Sequence, residues 1–214
     1  MDLDGLVTIA FRHADEAGFD SEAEPRWPTP EACADLFARL PARLSGRDGL
    51  DDDRLATGLR FLLSGERCDF AYRLRDGAMP FARRRAAIAA IGELYAGILD
   101  ARCGREPIAL RDDGSLLDRT VFMLWDVSPL SYWPESGGEP ARLGREALVT
   151  MLAGVLAIGR SPVCLESALH GLGHLVGSTG GASGEVIRVW LRTAREIPAE
   201  TREYAAAAAE GAIP

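Results

Sequence analysis

LVTMLAGVLAIGRSPVCLESALHGLGHLV, residues Leu148–Val176, is the stretch from which the fold can be read. In its first half apolar residues recur every three to four positions, the spacing of one helix face. A helix from about Ala141 to Ile158 is therefore expected, closed by a short turn at Gly159-Arg160-Ser161. Ser161-Pro162 then supplies an N-cap and a first-turn proline, whose missing N–H would have no helical partner anyway. The second helix runs to about Val176. Helix, tight turn, helix is the unit from which helical arrays are built.

Outward from this pair, helical periodicity covers most of the chain and strand alternation is nearly absent. Asp2 to Ala17 reads as a helix, with Leu3, Leu6, Val7, Ala10, Phe11 and Ala14 on one face, before a polar connector from Gly18 to Pro28. Thr29-Pro30-Glu31 opens a helix carrying Cys33, Leu36, Phe37 and Leu40, which Pro41 should disturb. Asp51-Asp52-Asp53 starts another, with Leu55, Leu59, Leu62 and Leu63 inward. Pro80 to Ala101 is a long Ala-rich helix. Cys103 to Ser115 is a break, with a short hairpin around Ile108-Ala109-Leu110. Ser115 and Asp118 form a capping box ahead of Phe122-Met123-Leu124-Trp125. A second loop, Ser131 to Pro140, holds Tyr132 and Trp133. After a Gly-rich turn, Gly177 to Ser183, helices follow near Glu185–Glu196 and Ala199–Ala212. The expectation is one all-α domain, 1–214, of about nine or ten helices. Its N-terminal helices, 1–103, are less regular than the pairs of 115–214.

Composition excludes several function classes. The 214 residues are 47% hydrophobic and 26% charged, values of a folded globular chain. Net charge is −8, and every basic residue is arginine. Without lysine there is neither a Schiff-base amine nor a phosphate-loop lysine. The acidic balance opposes binding to nucleic-acid backbones. Arg83-Arg84-Arg85 is the local exception and reads as a solvated first turn. The most apolar run, Leu148 to Gly159, is shorter than the roughly 20 residues of a membrane span. Met1-Asp2-Leu3-Asp4 is acidic where a secretory leader is basic, so a cytoplasmic protein without membrane contact is expected. Cys33, Cys68, Cys103 and Cys164 form no CxxC pair and read as reduced, buried thiols.

Ala86 to Tyr95 aligns with Ser167 to Val176 in apolar positions, small residues and a glycine, and Ala205 to Ile213 is a degenerate third copy. On these residues, Leu148–Val176 resembles a HEAT repeat, ending in that family's small-residue and Leu-Gly-x-Leu pattern. The resemblance implies an α-α superhelix of antiparallel helix pairs with a binding groove along the repeat helices. Cys164 to His174, with Met123-Leu124-Trp125-Asp126 upstream, also resembles a family of uncharacterised bacterial proteins, which carries no activity over.

Glu166, His170 and His174, spaced four apart, form the most chemical-looking stripe. A helical wheel puts Leu165, Leu169, Leu172 and Val176 on the core side and this stripe on the flank, towards solvent or a neighbouring repeat. Two imidazoles at i and i+4 can chelate a divalent ion, with Glu166 as a third ligand. The interval lacks the glutamate of the HExxH helix, and His13, the third histidine, is distant. Trp125 reads as core beside Phe122 and Leu124, and Trp133 as an aromatic pinning its loop or meeting a partner. The leading expectation is a non-enzymatic scaffold or adaptor for a basic or neutral protein, with no cofactor, metal or catalytic residue. Its contacts would be Glu166, His170, His174, Trp125, Asp126 and Trp133. Two alternatives stand beside it. One is a HEAT-like nucleic-acid enzyme of the DNA-glycosylase type, with Asp126 acting near Trp125. The other is a metal-dependent enzyme using Glu166, His170 and His174.

Far-UV circular dichroism should show a helical protein with strand content well below about a fifth, the share in an average globular domain. A larger strand signal would overturn the all-α reading.

Overall fold

The computed structural model describes residues 1–12, 28–45, 49–66, 68–108, 114–134, 137–194 and 196–213, and contains no strand among them. Among the described residues twelve α-helical segments follow one another: α1 (Leu3–Arg12), α2 (Pro30–Ser45), α3 (Asp52–Leu63), α4 (Phe70–Arg73), α5 (Phe81–Leu94), α6 (Asp100–Arg102), α7 (Leu116–Phe122), α8 (Leu124–Val127), α9 (Gly138–Ile158), α10 (Pro162–His174), α11 (Ala182–Thr193) and α12 (Ala199–Ala209). A π-helical stretch, Tyr95–Leu99, joins α5 to α6. His13, most of the 18–28 connector and the hairpin expected beyond Ile108 lie outside the described residues.

Local chemistry sets the helix starts. The Asp51 carboxylate accepts from the Arg54 amide at the head of α3. Ser115 and Asp118 complete the capping box of α7, each side chain accepting from the other's amide. Pro41 lies inside α2, which continues through it to Ser45. The head of α10 is capped from a distance. Asp100 Oδ1 accepts from the Arg160 amide at 2.6 Å and the Ser161 amide at 2.7 Å, while Ser161 donates its hydroxyl to the Gly104 carbonyl. The Ser161 side chain itself makes no capping bond to α10.

Helix α10 is the axis of the C-terminal half. Every residue from Pro162 to Gly173 is buried, with α7, α8, α9, α11 and α12 packed around it. Helix α5 lies against α2 and α9, so the two halves share one core. Glycines set the closest approaches. A Cβ on Gly171 would stand 2.9 Å from Leu152 and from the Trp125 ring. One on Gly173 would stand 2.6 Å from Ile213 and 3.4 Å from the Ala208 carbonyl. One on Gly92 would stand 3.0 Å from the Met151 side chain of α9.

The arginine run departs from expectation. Arg83 and Arg85 are exposed, but Arg84 is buried and donates to the carbonyls of Leu74, Asp76 and Pro140. Its guanidinium also lies 5.7 Å from the Trp133 ring centroid, so one cation ties α4, α5 and the start of α9 together. All four cysteines are free and buried. No helix among the described residues is long and apolar enough to cross a membrane.

Gly173→Leu should destabilise by about 1–3 kcal/mol through overpacking against α12. Gly154, exposed on α9 with nothing within 4 Å of an added Cβ, is the control. There Gly154→Ala should stabilise by about 0.5–1 kcal/mol through helix propensity alone. Equal melting of Gly173→Leu and wild type would refute the packing.

Candidate metal centre

Because α10 is buried on every side, each of its polar side chains must find a partner inside the protein. The stripe expected on the flank, towards solvent or neighbouring helices, runs along the contact with α8 and α12. Glu166, fully buried, accepts from the Ile108 amide at 2.8 Å and the Thr201 hydroxyl at 2.7 Å. Ser167 donates to the Val121 carbonyl and meets the Tyr95 hydroxyl at 2.7 Å.

One and two turns beyond Glu166, two imidazoles converge on one carboxylate. His170 Nε2 lies 2.9 Å and His174 Nε2 3.0 Å from Asp126 Oδ1. Asp126 Oδ2 is buried without a hydrogen-bond partner. On its other side His170 Nδ1 meets the Tyr204 hydroxyl of α12, and the Tyr132 hydroxyl stands 3.5 Å from His174 Nδ1. Phe122 packs edge-on against the His170 ring. The His170 side chain is 1% exposed, His174 15% and Asp126 24%, so the cluster is closed at Tyr204 and open at Asp126, His174 and the half-exposed Tyr132.

Two proton arrangements are open to this cluster: hydrogen bonds satisfy the first, and only a cation between the rings and the carboxylate satisfies the second. With both imidazoles neutral and protonated at Nε2, each donates to Asp126, and Tyr204 donates to His170 Nδ1. With the proton on Nδ1 instead, His170 donates to the Tyr204 oxygen and both Nε2 lone pairs face Asp126. The second is the arrangement of metal-ligating histidines, whose far nitrogen is held by an outer partner. Tyr204 suits both, because burial pushes its pKa up and keeps its hydroxyl protonated. Burial likewise lowers the His170 pKa against the pull of the Asp126 carboxylate, favouring the neutral ring that a metal requires. The donor atoms of Asp126, His170 and His174 lie within 4.8 Å of one another. At bonds of about 2.0–2.1 Å, tetrahedral ligand atoms stand roughly 3.3–3.4 Å apart. The Asp126 Oδ1–imidazole spacings of 2.9 and 3.0 Å are a little shorter and the widest donor spacing is longer, so an ion would seat between the three with a small shift of the rings.

The structure distributes the six contact candidates unevenly. Asp126, His170 and His174 come together; Glu166 is spent on Ile108 and Thr201 and stands outside the donor group. Trp125 is completely buried, its ring against Gly171. Trp133 is 6% exposed and seated on Gly144 of α9, so it pins its loop. Tyr204 escaped the sequence reading. Its signal is a single aromatic heading the alanine run Ala205–Ala209. Neither protein-family models, nor curated proteins, nor solved structures yield a match to this chain.

The depressed His170 pKa has a definite sign in stability. Below about pH 6.5 the unfolded imidazole takes a proton that the folded one still refuses, so the unfolded state is favoured. In chelator-treated protein, melting temperature should hold above about pH 7 and fall as pH drops through about 6.5. His170→Gln should lack that segment of slope. Imidazole titration by NMR should place His170 below about 6.5, and a value above it would contradict the geometry.

Proposed function

We propose that the chain binds one divalent transition-metal ion through Asp126, His170 and His174. The observation that carries this is the convergence of both Nε2 atoms on the Asp126 carboxylate, whose second oxygen is buried and unpartnered. Two histidines and one carboxylate suit zinc or a non-haem iron-type ion better than calcium or magnesium, which prefer all-oxygen shells. Three protein ligands leave at least one coordination position for water or substrate, the arrangement of catalytic rather than structural sites. Asp126, His174 and Tyr132 give that position its route to solvent, so a metal-dependent enzyme is the favoured reading over the scaffold. Here the carboxylate ligand is Asp126, in place of the Glu166 expected from spacing.

The interaction reading keeps one observation. Leu116, Met123 and Tyr132 are 41%, 45% and 51% exposed along α7 and the loop after α8, apolar surface that a basic or neutral protein could cover. A HEAT-like pairing of helices is supported by the hairpin of α9 and α10 across the turn at 159–161, followed by α11 and α12. Four buried free cysteines support a reducing, cytoplasmic setting.

Metal-depleted full-length protein should take up one equivalent of zinc, iron(II) or manganese(II) in calorimetry. Metal at 100 times Kd should stabilise the fold by about 2.7 kcal/mol. Asp126→Asn and His174→Gln, both partly exposed positions, should lose uptake while remaining folded. Absence of both stoichiometric uptake and metal-dependent stabilisation would sink the proposal.

A further inference from the structure

A second site stands apart from the histidine cluster, between the turn after α4 and the Trp133 loop. We propose that this cleft binds a small planar carboxylate. Its volume, about 590 Å³, lies within the range of roughly 300–1,000 Å³ typical of small-molecule sites. Tyr72, Arg73, Arg75 and Trp133 line it, with Asp69 and Asp76.

Two buried donors in this cleft have no acceptor. Arg73 Nε is buried and has no hydrogen-bond partner. Trp133 is 6% exposed, and its indole Nε1 is likewise unpartnered. Arg75 carries its guanidinium 5.8 Å from the Tyr72 ring centroid and 5.8 Å from that of Trp133, stacked on aromatic faces rather than paired with a carboxylate. Desolvation there lowers its pKa, so its charge is held without the counter-charge that would stabilise it. Arg84 differs, because its guanidinium is already committed to three backbone carbonyls.

A carboxylate answers these donors. Its two oxygens match a guanidinium fork, and a planar body can lie on the half-exposed Tyr72 ring. The acidic residues limit the ligand's charge. Asp76 Oδ1 accepts from the Ala78 amide, and Asp69 and Asp76 offset two of the three guanidinium charges of Arg73, Arg75 and the adjoining Arg84. The single positive charge left over matches a monoanion and not a polyphosphate or nucleic acid. None of these residues belongs to the metal centre, so this proposal stands or falls separately from that one.

The test titrates full-length protein with benzoate, with indole-3-acetate and, in parallel, with inorganic phosphate, following the Trp133 indole N–H by NMR. Saturable binding of a carboxylate with a shifted Trp133 signal is expected. Arg73→Gln and Arg75→Gln should each weaken it about tenfold or more, the loss of one charge-assisted hydrogen bond. Arg85→Gln, on the exposed face of α5, should leave it unchanged. Should either arginine variant fail to fold, Tyr72→Ala at a half-exposed position should still weaken binding. No saturation by either carboxylate, phosphate bound as tightly, or equal weakening by Arg85→Gln would overturn the proposal.

Discussion

A helix buried on all sides has no water to satisfy its polar side chains, and that constraint on α10 organises the C-terminal half. Glu166, Ser167, His170 and His174 tie α10 to the elements around it. Glu166 holds Ile108 and α12; Ser167 holds α7 and the π-helical Tyr95; His170 bridges α8 and α12; His174 returns to α8. An unmade bond at any of them would cost about 1–3 kcal/mol, comparable to a fair part of a domain's total stability. The surrounding helices are thus placed by hydrogen-bond geometry as well as by apolar burial.

The same constraint explains why a site can exist there. Most of the network ends in groups that satisfy one another, as Glu166 does with an amide and a hydroxyl. The Asp126 cluster ends differently, with two imidazoles sharing one carboxylate oxygen and the second oxygen left over. A core that needed only to be closed would have no use for that excess of ligating atoms. Placed where Asp126 and His174 reach solvent, the excess turns a packing solution into a candidate reactive centre. The Trp133 loop shows a similar imbalance of opposite sign, with buried donors lacking acceptors. Tyr132 faces the first site and Trp133 the second, so one short segment separates them.

Much of the fold was legible in the chain because it depends on local signals. Asp51 and the Ser115–Asp118 pair announced their caps, and Pro162 and Gly159 marked a helix–helix turn that the structure reproduces. Pro41 is an exception, since the packing of Leu40 and Leu44 on both sides of it carries α2 through. Arg84 is another: three arginines in a row look alike in sequence, and only the carbonyls of Leu74, Asp76 and Pro140 single out the middle one.

The site was legible only in part. Sequence alone brought out His170, His174 and Asp126, because i and i+4 spacing is a property of one helix and Asp126 follows a conspicuous tryptophan. It also determined the all-helical class and the α9–α10 turn. The helical wheel left open whether the stripe meets solvent or a neighbouring helix, because a wheel shows one helix without the helices around it. Between Ser161 and Gly181 the only acidic or basic side chain besides His170 and His174 is Glu166, with no Asp, Arg or Lys, the composition of a helix enclosed all round. Tertiary structure alone decided that Asp126, 44 residues from His170, supplies the shared carboxylate. It alone sent Glu166 to Thr201 and Ile108, and brought Tyr204 from the last helix against His170. Those pairings join residues far apart in the chain, and no local periodicity encodes which of several carboxylates and hydroxyls will meet a buried histidine once the helices pack.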